Sequence, residues 1–205
     1  MDIKALAQNI ILSYEEIFEE SLTHLKLQKL LFYTYVWSLV DNKALVNNTF
    51  KKWKYGPVNP EIYQEYKKYG DNFIPLENLA YTKVAKQQKK LMDFVIANYG
   101  KFSPITLSAM THQDEPWQNT AVSETISDDV VKIFYSKLNF AKNFPVDFKK
   151  PFYPVETDLH YSFVLDFSET TKSNPFAYKS YYEYLKLHTK SKKDLIKLLD
   201  ECSIN

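Results

Sequence analysis

The sequence predicts a mainly α-helical protein. A compact multi-helix domain surrounds a buried central helix and carries a small β element, followed by an aromatic-rich α/β extension at the C-terminal end. Three observations lead there. Residues 25–40 contain eleven apolar residues in sixteen and neither Gly nor Pro. Wound at 3.6 residues per turn, the later turns of that stretch are apolar nearly all round, as in a helix enclosed by other elements. Apolar residues recur at helical spacing in most other segments. The three glycines of this 205-residue chain, Gly56, Gly70 and Gly100, all fall at breaks between those segments.

In chain order, Ile3, Leu6, Ala7, Ile10, Ile11, Tyr14, Ile17 and Phe18 follow the i, i+3, i+4, i+7 rule of an amphipathic helix. Glu15, Glu16, Glu19 and Glu20 crowd its C-terminal end, where the helix dipole disfavours them. A solvated charge run is the ordinary reading, and a patch for a basic partner the functional one. Thr23 suits the N-cap of the central helix, its hydroxyl accepting from an exposed N–H. In the first two turns Lys26 and Lys29 share a face, which predicts that this side touches water, and Tyr33, Val36, Trp37 and Val40 continue the face as apolar. Residues 49–55 alternate like a strand, and Gly56-Pro57 turns the corner into the next helix. That helix starts at Asn59-Pro60-Glu61, with an Asn cap and Pro at the first position, carries Ile62, Tyr63, Tyr66 and Tyr69, and stops at Gly70.

A loop holding Pro75 leads to a helix through Val84, Leu91, Met92, Val95, Ile96 and Tyr99, closed by Gly100. Ser103-Pro104 opens a short helix with Leu107 and Met110 that ends near Thr111-His112, and Pro116-Trp117 forces a turn. Ser127-Asp128-Asp129 starts a helix through Val130, Ile133, Phe134 and Leu138. The composition changes near residue 140, which divides the chain into a domain at 1–139 and an extension at 140–205 with short strands and two helices. Residues 160–167 alternate as a strand. Asn174-Pro175 begins one helix, with Tyr178, Tyr181, Tyr182 and Leu185, and Ser191 to Asp194 a second, with Leu195, Ile196 and Leu199.

Composition removes several function classes. Net charge is +1, from 26 basic and 25 acidic residues, so nothing drives nonspecific nucleic-acid binding. Every basic residue is lysine, which leaves no guanidinium fork for guanine or phosphate. The single cysteine, Cys202, supports neither a disulfide framework nor a cysteine zinc site. The N-terminus lacks a basic segment followed by a continuous apolar run, and the central helix is short of the roughly 20 apolar residues of a membrane span. A cytoplasmic protein is the expectation. Of the four histidines, His24 and His112 could meet over a metal with a carboxylate, but single histidines more often cap helices or bond within a core. Asp114 and Glu115 beside Trp117 are a lone acidic pair, weak as a glycosidase site. No nucleophile, base and oxyanion hole assemble, so the expectation is a non-catalytic domain without metal or cofactor.

Three segments together carry a family resemblance. They are residues 25–33 (LKLQKLLFY), Trp53-Lys54-Tyr55-Gly56-Pro57-Val58 followed by Pro60 to Tyr63, and residues 107–112 (LSAMTH) with Pro116-Trp117. In this order they resemble the Panacea antitoxin domain, also called the SocA-like or GepA-type phage-associated domain, over about residues 1–140. The resemblance implies a helical cytoplasmic antitoxin that binds a toxin encoded beside it and blocks it directly. It implies no catalytic residue. An alternative it raises is a proteolytic adaptor delivering its partner to a AAA+ protease, or a mobile-element interaction protein of another role.

Within the motifs, Leu27, Leu30, Leu31, Trp53, Tyr55, Gly56, Pro57, Tyr63, Leu107, Thr111, Pro116 and Trp117 read as scaffold, the large aromatics burying apolar area. Lys26, Gln28, Lys29, Lys54 and His112 read as partner-binding candidates, being polar residues set in apolar motifs.

Overall fold

The computed structural model describes residues 1–47, 49–77, 79–156 and 177–202. Helix α1 (Ile3–Phe18) is capped by Asp2, whose carboxylate accepts from the backbone N–H groups of Lys4 and Ala5. Its apolar stripe is buried from Ile3 to Tyr14 as the periodicity predicts, whereas Ile17, expected on the same stripe, is exposed and Phe18 half-buried. Of its terminal acids, Glu20 accepts from the Tyr14 hydroxyl and Glu16 from that of Tyr81. The Phe18 ring packs directly on Gly100, where a Cβ would lie 2.5 Å from it.

Helix α2 (His24–Val40) is the axis, and Thr23 caps it by accepting from Lys26 N–H. Every residue from Leu27 to Ser38 is buried, because α1, α4 (Lys86–Tyr99), α5 (Pro104–Gln113), α7 (Asp128–Tyr135) and a β-hairpin all pack on it. The wet face expected on its first turns is therefore closed at Lys29, while Lys26 stays half-exposed. Gln28 and Lys29 are inside, and their polar atoms are met by the hairpin.

That hairpin pairs β1 (Lys51–Trp53) with β2 (Gly56–Val58) in antiparallel register, Lys51 opposite Val58 and Trp53 opposite Gly56. Gly56-Pro57 is thus part of a strand, and the corner lies one step earlier, at Lys54-Tyr55. The outer edge of β1 is covered: Lys52 N–H donates to Glu124 O, and Ser123 N–H donates to Lys52 O. Asn59 then caps α3 (Pro60–Tyr66), which runs through a 3-10 turn (Lys67–Tyr69) to Gly70 at φ +55°.

Ser103 caps α5 as expected, and Pro116-Trp117 forms the single helical turn α6 (Glu115–Gln118) rather than a simple reversal. α7 turns a different face inward from the one expected. Val131 and Tyr135 are buried, whereas Val130 and Ile133 are exposed. Val84 precedes α4 rather than opening it.

Several described aromatic residues after 139 join the same core. Phe140, Phe144, Phe148, Phe152 and Tyr181 surround Phe94 of α4, with ring centroids 5.3–6.1 Å away. Phe140 and Phe144 also pack on Trp37 of α2. The expected strand at 160–167 and the start of the next helix at Asn174-Pro175 lie outside the described residues. The two expected C-terminal helices are one, α8 (Tyr181–Cys202), with no break at Ser191. No described helix is long and apolar enough to cross a membrane.

Candidate functional site

The three motifs, dispersed in sequence, converge on the β-hairpin. α2 supports it from below. Lys29, completely buried, aims its Nζ at the strand and donates to Pro57 O at 2.8 Å. A Cβ on residue 56 would sit 2.6 Å from that nitrogen and 2.6 Å from Thr111 Oγ1, and Gly56 holds φ +99°. The position needs glycine on both counts. Burial pulls the Lys29 amine down to about 7, since desolvation disfavours the ammonium form. The preceding residue, Gln28, brackets the end of the hairpin: its Oε1 accepts from Asn59 N–H at 2.9 Å and its Nε2 donates to Asn59 O at 3.4 Å.

α5 holds the tip. Ser108 Oγ donates to Tyr55 O at 2.8 Å, and His112 Nε2 lies 2.9 Å from Lys54 O. The His112 ring packs against Trp117, centroids 4.0 Å apart. Lys52 Nζ sits 4.2 Å over the Trp117 ring and donates to Gln118 O. Both carbonyls of the two-residue loop are thus fixed by side chains of one helix, so the loop is preorganised.

Outside these supports the hairpin presents Lys54, exposed, and Tyr55, 61% exposed. Tyr55 is a correction: expected as buried scaffold, it points to solvent. Trp53 and Tyr63 are half-buried and pack edge to face at 4.8 Å. Beside them opens a groove of about 550 Å³ lined by His24, Leu25, Trp53, Tyr55, Val58 and Tyr63.

Of the five partner-binding candidates, the structure brings Gln28, Lys29, Lys54 and His112 to one hairpin, but only Lys54 is exposed there. Lys26 lies apart: its Nζ donates to Tyr14 OH at 2.6 Å, and burial lowers its pKa. Leu27, Leu30, Leu31, Leu107, Thr111 and Pro116 are buried. Ser108 and Asn59 were missed as hairpin supports. Asn59 was legible only as a helix cap, yet its Nδ2 also donates to Thr49 O. His24 and His112 are occupied separately, His24 beside Gln28 and Tyr63. Among the described residues no group of three or more His, Cys, Asp or Glu could hold a metal.

Residues 27–118 match the family described as "Antitoxin SocA-like, Panacea domain". Residues 27–118 are thus similar to a Panacea domain. The matched span runs from the first turn of α2 to the end of α6, so it includes every side chain just described as supporting the hairpin. The chain is also similar to a protein named Antitoxin SocA from Caulobacter vibrioides (strain NA1000 / CB15N), 36% identical over 75 residues. That alignment covers 36% of this chain and 39% of the relative. No solved structure matches. The segment after Gln118, including α7, the aromatic cluster on Phe94 and α8, lies beyond the matched Panacea domain.

Proposed function

We propose that this chain is a non-enzymatic antitoxin of the cytoplasm that neutralises a toxin encoded beside it by direct protein–protein binding. The contact face is the hairpin tip with the groove beside it. The observation that carries this reading is the exposed Lys54-Tyr55 loop, locked from behind by Ser108 and His112. A rigid aromatic and a cation, set next to an apolar groove, form an interface anchor that has little ordering entropy to lose on binding. The Panacea domain supports the antitoxin role, while the adaptor alternative with its AAA+ protease draws no support from the match.

The product of the adjacent open reading frame is the partner to test. Its expression alone is expected to arrest growth, co-expression of this chain to restore it, and the two proteins to co-purify. Absence of toxicity, of rescue or of a complex would end the reading. The double variant Tyr55→Ala/Lys54→Glu is expected to lose about 2 kcal/mol of binding, roughly 30-fold. Its melting should be unchanged within about 0.5 kcal/mol, as for an exposed site. Unaltered affinity in titration calorimetry would move the interface elsewhere on the domain.

A further inference from the structure

A second site lies one turn further along α2, at Tyr33, where the matched domain meets the segment that follows it. Tyr33 of α2, Tyr99 of α4, Asp114 and Tyr135 of α7 line a cavity of about 260 Å³, with Asn139 and Glu156 among its remaining wall residues. Tyr33 and Tyr99 stack at 4.1 Å, and Tyr135 meets Tyr33 edge-on at 6.4 Å. Tyr135 donates its hydroxyl to Asp114 Oδ2, and Tyr99 OH accepts from Trp37 Nε1. The Tyr33 hydroxyl is completely buried and has no hydrogen-bond partner among the described residues. A buried hydroxyl left without a partner costs on the order of 1–3 kcal/mol, so a native structure that keeps one invites a ligand.

The lining has two carboxylates, Asp114 and Glu156, and no lysine or histidine. Asn139 bridges the rim, donating to Glu156 and accepting from Lys142, which stands outside the lining. Aromatic rings around a carboxylate make an environment that attracts a cation carrying apolar carbon. Two carboxylates are too few for a dedicated cage around a hard metal ion.

We propose that this cavity binds a small organic cation, the alkylammonium group of a free amine or of a lysine side chain. The ammonium pairs with Asp114 and donates to the Tyr33 hydroxyl, while its carbon chain lies against the tyrosine rings. Burial holds the Asp114 carboxyl up at about 6. Its charge is costly in the empty cavity, and an ammonium beside it offsets that cost. This site is independent of the hairpin, and it can fail without affecting the antitoxin reading.

The test is calorimetric titration of the full chain with n-butylammonium chloride, n-butanol and the capped tripeptide acetyl-Gly-Lys-Gly-amide. Butylammonium is expected to saturate below about 10 mM, at least about tenfold tighter than butanol. Binding of the tripeptide as well assigns the site to a lysine side chain. Binding of butylammonium alone assigns it to a free amine. Asp114→Asn leaves an acceptor for Tyr135 and is expected to weaken butylammonium binding about tenfold or more. Tyr33→Phe, which removes only the unpartnered hydroxyl, is expected to weaken it about threefold and serves if the first variant does not fold. No saturation, equal binding of butanol, or unchanged affinity in a folded variant would overturn the proposal.

Discussion

Lys29→Glu is expected to leave the protein unfolded, while Lys29→Met folds. The amine of Lys29 is fully enclosed beneath the hairpin, and its nearest partner is an acceptor, Pro57 O. Glutamate there would place a carboxylate against a carbonyl with no donor to meet it. An uncompensated buried charge costs about 3–5 kcal/mol or more, out of a total stability of about 5–15 kcal/mol. Methionine has similar length and loses the bond to Pro57, which costs about 1–3 kcal/mol, but it also removes the desolvation of an ammonium group. The two effects offset. Circular dichroism and urea melting separate the variants, and a well-folded Lys29→Glu would show that Lys29 is not enclosed.

The same residue makes stability depend on pH, with a definite sign. Its folded value, about 7, lies below the ordinary lysine value of 10.5. Between those values the unfolded chain holds a proton that the folded chain does not, so stability rises with pH across that window. Below about pH 7 both states are protonated and the penalty is complete. The urea midpoint of the parent protein is expected to rise relative to Lys29→Met between pH 7 and 9.5. Comparison with methionine cancels the other lysines and tyrosines that titrate there. A constant gap would mean that the amine is neither desolvated nor depressed.

The second large effect is expected at Trp37. Its indole is fully buried, donates to Tyr99 OH at 3.0 Å, stacks on Phe144 at 5.2 Å, and meets Phe140 and Tyr135 edge-on. Trp37→Ala removes the largest ring of this cluster and is expected to cost about 3–5 kcal/mol. Because Phe140 and Phe144 lose the surface they rest on, the chain after residue 139 should loosen first. Limited proteolysis is expected to cut within residues 140–156 of the variant under conditions that spare the parent. A loss under about 1 kcal/mol would show that this segment is anchored elsewhere, through Phe94 and Phe152.

What could be read from the sequence was local. Thr23, Asn59 and Ser103 cap their helices as read, because a cap is a contact between residues three apart. The α1 stripe was legible because sixteen residues repeat a period enough times to leave one answer. The eight residues of α7 do not. Val130 and Ile133 make one apolar stripe, Val131 and Tyr135 another, and only the position of α2 selects the second. Ser191 suits a helix start and a helix interior alike, so the continuity of α8 could not be decided locally.

The candidate site was legible as a set of motifs but not as a surface. Lys29 and Tyr55 were assigned by residue type, the lysine outward and the tyrosine inward, and both assignments reverse. Burial depends on partners distant in the chain. Pro57, 28 residues from Lys29, supplies the acceptor that lets an amine lie inside, and Ser108, 53 residues from Tyr55, anchors the carbonyl while the ring faces water. Sequence alone determined the helical class, the caps, the central apolar axis and the motifs of the Panacea domain, since each is encoded by neighbours along the chain. Tertiary structure alone decided which polar groups are enclosed, which aromatic is presented, and that three motifs meet at one hairpin. Those outcomes follow from desolvation and hydrogen bonding between segments that meet only on folding.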